Sequence, residues 1–203
     1  MGKAPCILLG LLLLAPGCSS AQVEREFPTE EMAEGDLAFR CGRGVFSRAV
    51  TTAEEEGVYS HIGLLLRDGE AWKVVHAVPG ETEGEDDFER VKMEDVGAFF
   101  SAERAVRGCL VHTGLADSAT VAALRGKALR AVADSVRFDG DYRLEDSSRV
   151  YCTEFVWRLY ADAAGIDLSE GRRRFIHLLW INGDVLLPEH LLEYSGNQVY
   201  YSF

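Results

Sequence analysis

A chain of 203 residues has the size of one medium domain, and 47% apolar residues are enough for a packed core, which excludes a disordered chain. The formal net charge of -12 argues against a nucleic-acid partner, because an acidic surface repels phosphates, and it gives no steering towards anionic lipid. The one basic run, residues 172–174, follows a glycine and reads as a solvated face.

The opening stretch, MGKAPCILLGLLLLAPGCSS, is laid out as a secretory leader: Lys3, an apolar run over residues 7–15, and the small Gly17 before Cys18. The apolar run is too short to span a bilayer comfortably. Its end, Ala15-Pro16-Gly17-Cys18, resembles a bacterial lipobox in which the cysteine is acylated, with alanine where leucine is usual; simple signal cleavage is the alternative. The expected organisation is a leader at 1–17, a polar tether at 18–33 held by a lipid on Cys18, and one domain at 34–203. Ser19 after the cysteine matches the outer-membrane sorting pattern, so the expected location is the bacterial cell envelope, facing the periplasm. Cys6 leaves with the leader. Cys41, Cys109 and Cys152 remain in the domain, so at least one is a free thiol or pairs between chains, and a Cys41–Cys109 disulfide is open. There is no CxxC and no Cys/His ligand spacing, so neither a metal nor another cofactor is expected.

Gly35-Asp36 opens a short strand at 37–39, and Cys41-Gly42-Arg43-Gly44 is a turn. Residues 46–50 form a brief helix or loop. The segment HIGLLLRDGEAWKVVHAV reads as a hairpin around Asp68-Gly69. After an acidic loop at 81–90, residues 91–96 and 106–112 are candidate strands. Asp117 or Ser118 caps a helix to about Val136, with Val121, Leu124, Ala128, Val132 and Val136 as its buried stripe. Residues 138–144 are irregular. A second helix begins near Cys152, with Ser147 and Ser148 as capping candidates, and stops at Gly165. Short apolar runs and an aromatic tail, QVYYSF, complete an α+β domain with one antiparallel sheet packed against helices.

The chemistry concentrates on three residues. Cys152, at the front of a helix, sits where unpaired N–H groups and the helix dipole favour a thiolate; its bland alternative is a small packed residue. His61 begins an apolar strand, and its reference pKa near neutrality makes histidine the natural base for a thiol. His76 lies on the partner strand, where a turn centred on Asp68-Gly69 sets it almost directly opposite His61, so that one imidazole can fix the tautomer of the other. His112, His177 and His190 have no such partner and read as surface or core-edge residues.

The segments EGDLAFRCG, YSHIGLLL, WKVVHAVP, FDGDYRLEDSSRVYCTEFVWRLYADAAGIDLS and LLPEHLL together resemble the permuted papain-like amidases of the YaeF/YiiX type, relatives of the NlpC-type cell-wall hydrolases and of lecithin retinol acyltransferase. The order His61, His76, Cys152 matches the permuted arrangement. The resemblance implies a circularly permuted papain-like fold with His61 as base, Cys152 as nucleophile and His76 as orienting residue, where YiiX-type members often carry glutamate. It implies hydrolysis of an amide or peptide bond, with a small peptide, amide or lipid as substrate and the Cys152 N–H facing the oxyanion. A lipid acyltransferase or ester hydrolase with the same triad, and a non-catalytic substrate-binding lipoprotein, are the alternatives. The sequence carries no signal of oligomeric state.

Overall fold

The strands are β1 (Leu37–Gly42), β2 (His61–Asp68), β3 (Ala71–Val78), β4 (Arg90–Asp95), β5 (Ala105–His112), β6 (Arg137–Phe138), β7 (Arg149–Val150), β8 (Arg174–His177), β9 (Asn182–Val185) and β10 (Gln198–Ser202). The helices are α1 (Val45–Ala53), α2 (Val96–Phe99), α3 (Ser118–Ala133), α4 (Cys152–Ala164) and α5 (Pro188–Leu192). These elements come from a computed structural model that describes residues 25–53, 57–82, 84, 87–115, 117–177 and 181–203. The leader, Cys18 and the first part of the expected tether lie outside the described residues.

Eight strands form one sheet in the order β10-β5-β1-β2-β3-β4-β6-β7, and β8 and β9 make a separate hairpin. The expected antiparallel sheet is mixed at one edge, where β6 and β7 run parallel. Side chains alternate between the two faces of each strand. Leu37, Phe39, Ile62, Leu64, Val75 and Ala77 pack with Leu124 and Ala128 of α3 and with Phe155, Val156 and Leu159 of α4. Ala38, Leu65 and Val74 pack on the other face, with Phe99 and Phe100 and with Met32. Because both faces are covered, β2 and β3 read as continuous apolar runs and not as alternating ones.

Residues 25–33 do not behave as a tether. Phe27 stacks on Phe100 with ring centroids 5.6 Å apart, Met32 is buried, and Trp72 Nε1 donates to the carbonyl of Thr29. Helix α3 begins as expected, with the Asp117 carboxylate accepting from the N–H groups of Ala119 and Thr120. It ends at Ala133, short of Val136, because the chain turns through Ser135 at φ 50°. Val136 then uses its carbonyl to accept from Val91 of β4. Among the described residues no helix is long and apolar enough to cross a membrane.

Candidate active site

The β2–β3 register is fixed by the pairs Asp68↔Ala71 and Leu64↔Val75. The tight turn is therefore Gly69-Glu70, one residue later than expected. Continuing the register sets His76 across from Gly63, so His61 and His76 are diagonal neighbours and not directly opposed. They still share a face, and His61 Nε2 lies 2.8 Å from His76 Nδ1, with the rings edge to face. Gly63 makes the diagonal contact sterically accessible: a Cβ there would overlap Cγ1 of Val74 and press on His76 Cβ at 3.1 Å. The glycine of the His-x-Gly segment is thus a packing requirement of the histidine pair. Gly63→Ala is expected to displace His76 and lower any turnover at least tenfold while the chain still folds. Activity together with the His61 and His76 imidazole resonances checks this; native resonances would overturn it.

The histidine line continues. His76 Nε2 lies 2.9 Å from Glu94 Oε1 of β4, in a contact bent away from an ideal hydrogen bond. Burial pushes the Glu94 carboxyl up, but His76, Arg104 and Arg40 outweigh it and bring it down to about 2, so it is ionised and accepts only. That fixes the tautomers in turn. His76 carries its proton on Nε2 and presents the bare Nδ1. His61 therefore donates through Nε2, which leaves the lone pair of Nδ1 available, as a general base requires.

Arg40, which sequence reading passed over, lies on β1 directly across from His61. It is 3% exposed, its Nη1 donates to the Phe99 carbonyl at 2.8 Å, and it pairs with Glu81. Its guanidinium packs over the Phe99 ring at 4.4 Å, and the same ring meets both histidines. Arg104 bridges Glu81 and Glu94. The sequence signal for Arg40 was a lone charge inside the apolar strand LAFRC. For Glu94 it was the alternation of Lys92 and Glu94 in VKMED.

Cys152 approaches from the other face of the sheet. It is the first residue of α4, which packs on Ile62, Leu64 and Val75. The cap differs from expectation: Tyr151 is the N-cap residue and the Glu154 carboxylate accepts its N–H at 3.4 Å, while Ser148 is tied to Asp146. Burial pushes Glu154 up to about 7, against the hydrogen bond from Arg158. The Cys152 sulfur meets the N–H of Ile62, the residue after His61, and lies 3.7 Å from the Thr153 hydroxyl. The two halves of the site thus reach around the end of β2 from opposite faces. Both line one cavity of about 380 Å³.

Electrostatics at this junction reverse one expectation. The helix start favours a thiolate, but burial raises the Cys152 pKa beyond what the hydrogen bonds of Thr153 and Ile62 recover. Burial, followed by the charge of Arg40, brings His61 well below its usual value. Both directions favour a neutral thiol and a neutral imidazole lining one cavity over an ion pair. Iodoacetamide labelling of Cys152, followed by peptide mapping, is accordingly expected to inflect above the roughly 8.5 of a free thiol. An inflection well below that value would restore the ion pair.

The cavity has unlike walls. Arg40, Arg43, Glu81, Glu103 and Arg104 line one side, and Val50, Phe138, Tyr142, Leu186 and Leu187 the other. Tyr142 holds φ at 56°, an uncommon conformation for an aromatic residue. The buried Asp139 carboxylate imposes it by accepting from the N–H groups of Asp141 and Arg143, which places the Tyr142 ring 5.0 Å from that of Tyr151.

The other cysteines and histidines lie elsewhere. Cys41 and Cys109 are free thiols. His112 does have a partner: both Asp36 carboxylate oxygens lie 2.9 Å from its Nδ1, and its ring stacks on Tyr200 at 4.0 Å. This cluster ties β10 to β5. His177 faces Asn182, and His190 accepts from the Leu187 N–H.

No family model matches the sequence, and no curated protein matches it at a significant level. A solved structure does. The chain has the fold seen in the crystal structure of the metalloprotein yiiX from Escherichia coli O157:H7, DUF1105. The TM-score is 0.68 at 18% identity, over 84% of this chain and 97% of that one. At this identity the likeness establishes the fold alone. The word metalloprotein belongs to that protein. Among the described residues here, no group of three or more His, Cys, Asp or Glu side chains is placed to hold a metal ion. His61, His76 and Glu94 turn their facing atoms on one another in a line and do not converge on a point, so these residues do not fit a metal site.

Proposed function

We propose that the chain is a cysteine hydrolase that cleaves an amide or peptide bond, with Cys152 as nucleophile, His61 as base and His76 as the orienting residue. The observation that supports it best is the thiol of Cys152 sharing a cavity with a histidine line whose tautomers leave His61 Nδ1 free to take a proton. Proton transfer from Cys152 to His61 accompanies attack on the carbonyl, since neither group is charged at rest. The imidazolium that forms is stabilised through His76 by Glu94. The Cys152 N–H, at the first position of α4, has no helical acceptor and is suited to the developing oxyanion. The amine leaves with the proton from His61, and water then releases the acyl group from sulfur.

The apolar wall favours a second reading with the same residues, acyl transfer from a lipid or ester. Under either reading we place the protein in the bacterial envelope, exported and held by a lipid on Cys18. Mass spectrometry of the mature N-terminus tests that placement, and an unacylated N-terminus beyond Cys18 would refute it. The catalytic reading is tested with an activated short-chain acyl ester. Wild type is expected to gain one acyl group, mapped to Cys152, and Cys152→Ala none. Turnover of amides and esters by wild type then separates the two chemistries. An unmodified Cys152 after exposure to the ester would leave a binding lipoprotein.

A further inference from the structure

We propose that the cleft selects amides joining an apolar acyl group to a carboxylate-bearing amine, as in an N-acyl amino acid, and that Arg43 reads the carboxylate. The proposal rests on the reading of Cys152 as the nucleophile of an amide hydrolase. Its starting point is the division of the cavity. The apolar wall comes from the α4 side of the sheet, through Phe138, Tyr142, Leu186 and Leu187, and the sulfur of Cys152 arrives from that side. The guanidinium groups lie at the β1–β5 side, at the end of the strand that faces His61.

Three arginines line the cavity, and they are not equivalent. Arg40 is paired with Glu81 and lies near Glu94, and Arg104 is paired with both. Their charge is matched by carboxylates of the protein. Arg43 is exposed just beyond the end of β1. Its Nε donates to the Ala102 carbonyl at 2.7 Å, which fixes the guanidinium at the rim. Among the described residues its two terminal nitrogens carry no hydrogen bond and no ion pair, with Glu103 on the same rim. A planar fork held at one nitrogen and open at the other two matches a carboxylate. In a chain of net charge -12, a cleft lined by Arg40, Arg43 and Arg104 against Glu81 and Glu103 is locally cationic, which draws an anion in. A volume of about 380 Å³ suits a small amphiphile rather than a long polymer.

The reaction balances without a further reagent. The amide C–N bond breaks as a C–S bond forms on Cys152, and His61 passes the thiol proton to the departing nitrogen. The amino acid leaves along the Arg43 side. Water then forms the C–O bond, the C–S bond breaks, and the sulfur recovers a proton.

The test pairs N-octanoylglycine with its uncharged analogue, N-octanoylglycinamide. Calorimetric titration of the full-length Cys152→Ala protein is expected to show the carboxylate binding tenfold or more tighter at low salt. Adding Arg43→Ala should bring the ratio close to one, and Arg43→Lys should restore part of it. In wild type the same preference should appear in KM more than in kcat. Equal binding of the two compounds, no binding of either, or a preference that survives Arg43→Ala would overturn the proposal. A preference in binding with no turnover of either compound by wild type would instead defeat the hydrolase reading and leave Arg43 as a recognition residue.

Discussion

Glu94→Gln is expected to lower kcat about as severely as His61→Ala, by roughly three orders of magnitude, although Glu94 is two residues removed from the sulfur. Arg104 binds the second Glu94 oxygen and is a donor only. A glutamine in this place must therefore give its carbonyl to Arg104 and turn its NH2 towards His76. His76 Nε2 would then accept, Nδ1 would carry the proton, and His61 would be forced to accept through Nε2. That leaves the proton of neutral His61 on Nδ1, and the base is switched off without the loss of any side chain near the thiol. Single-turnover kinetics on a reactive acyl ester, with imidazole nitrogen shifts to report the tautomers, checks the chain of reasoning. A Glu94→Gln variant with activity within tenfold of wild type would sink it. His76→Ala should be milder than His61→Ala, since it removes the orientation and not the acceptor. The acid limb of the wild-type profile should lie below pH 6.5, because burial and Arg40 both disfavour the imidazolium. Activity is lost there as the base becomes protonated.

The second large effect concerns stability. Arg40→Met is expected to cost roughly 1–3 kcal/mol, read as a lower urea midpoint with an unchanged slope, because it takes the nearest cation from the half-buried Glu81, leaves Glu94 to Arg104 alone and strips the Phe99 carbonyl of its donor. The same variant should move the acid limb of activity upward, since the charge that opposes protonation of His61 is gone. The pH dependence of stability has a definite sign. Glu94 is held near 2 in the folded chain against 4.5 in an unfolded one, so its contribution is fully present above pH 4.5 and is lost as pH falls through 4.5 towards 2. Replacing Arg40 should shrink that contribution. A variant as stable as wild type, with an unchanged profile, would remove Arg40 from both roles.

Local pattern in the sequence was enough to locate the strands that carry His61 and His76, the capped start of α3 and the Gly165 stop of α4, because periodicity, turn residues and caps act over a few positions. The register of the hairpin was not legible to the residue. Asp68-Gly69 and Gly69-Glu70 both suit a turn, and which of them the chain uses is decided by packing along whole strands, including the close fit at Gly63. Arg40 and Glu94 carry only weak local signals, and that they meet His61 and His76 was decided by the fold, since they lie 21 and 18 residues away in sequence and sheet order brings them together. The same holds for the protonation states. A thiol at a helix start favours its anion, and sequence shows that much. Burial of Cys152 and His61 at the meeting of two sheet faces costs more than the helix start returns, and desolvation depends on every element that closes over the site.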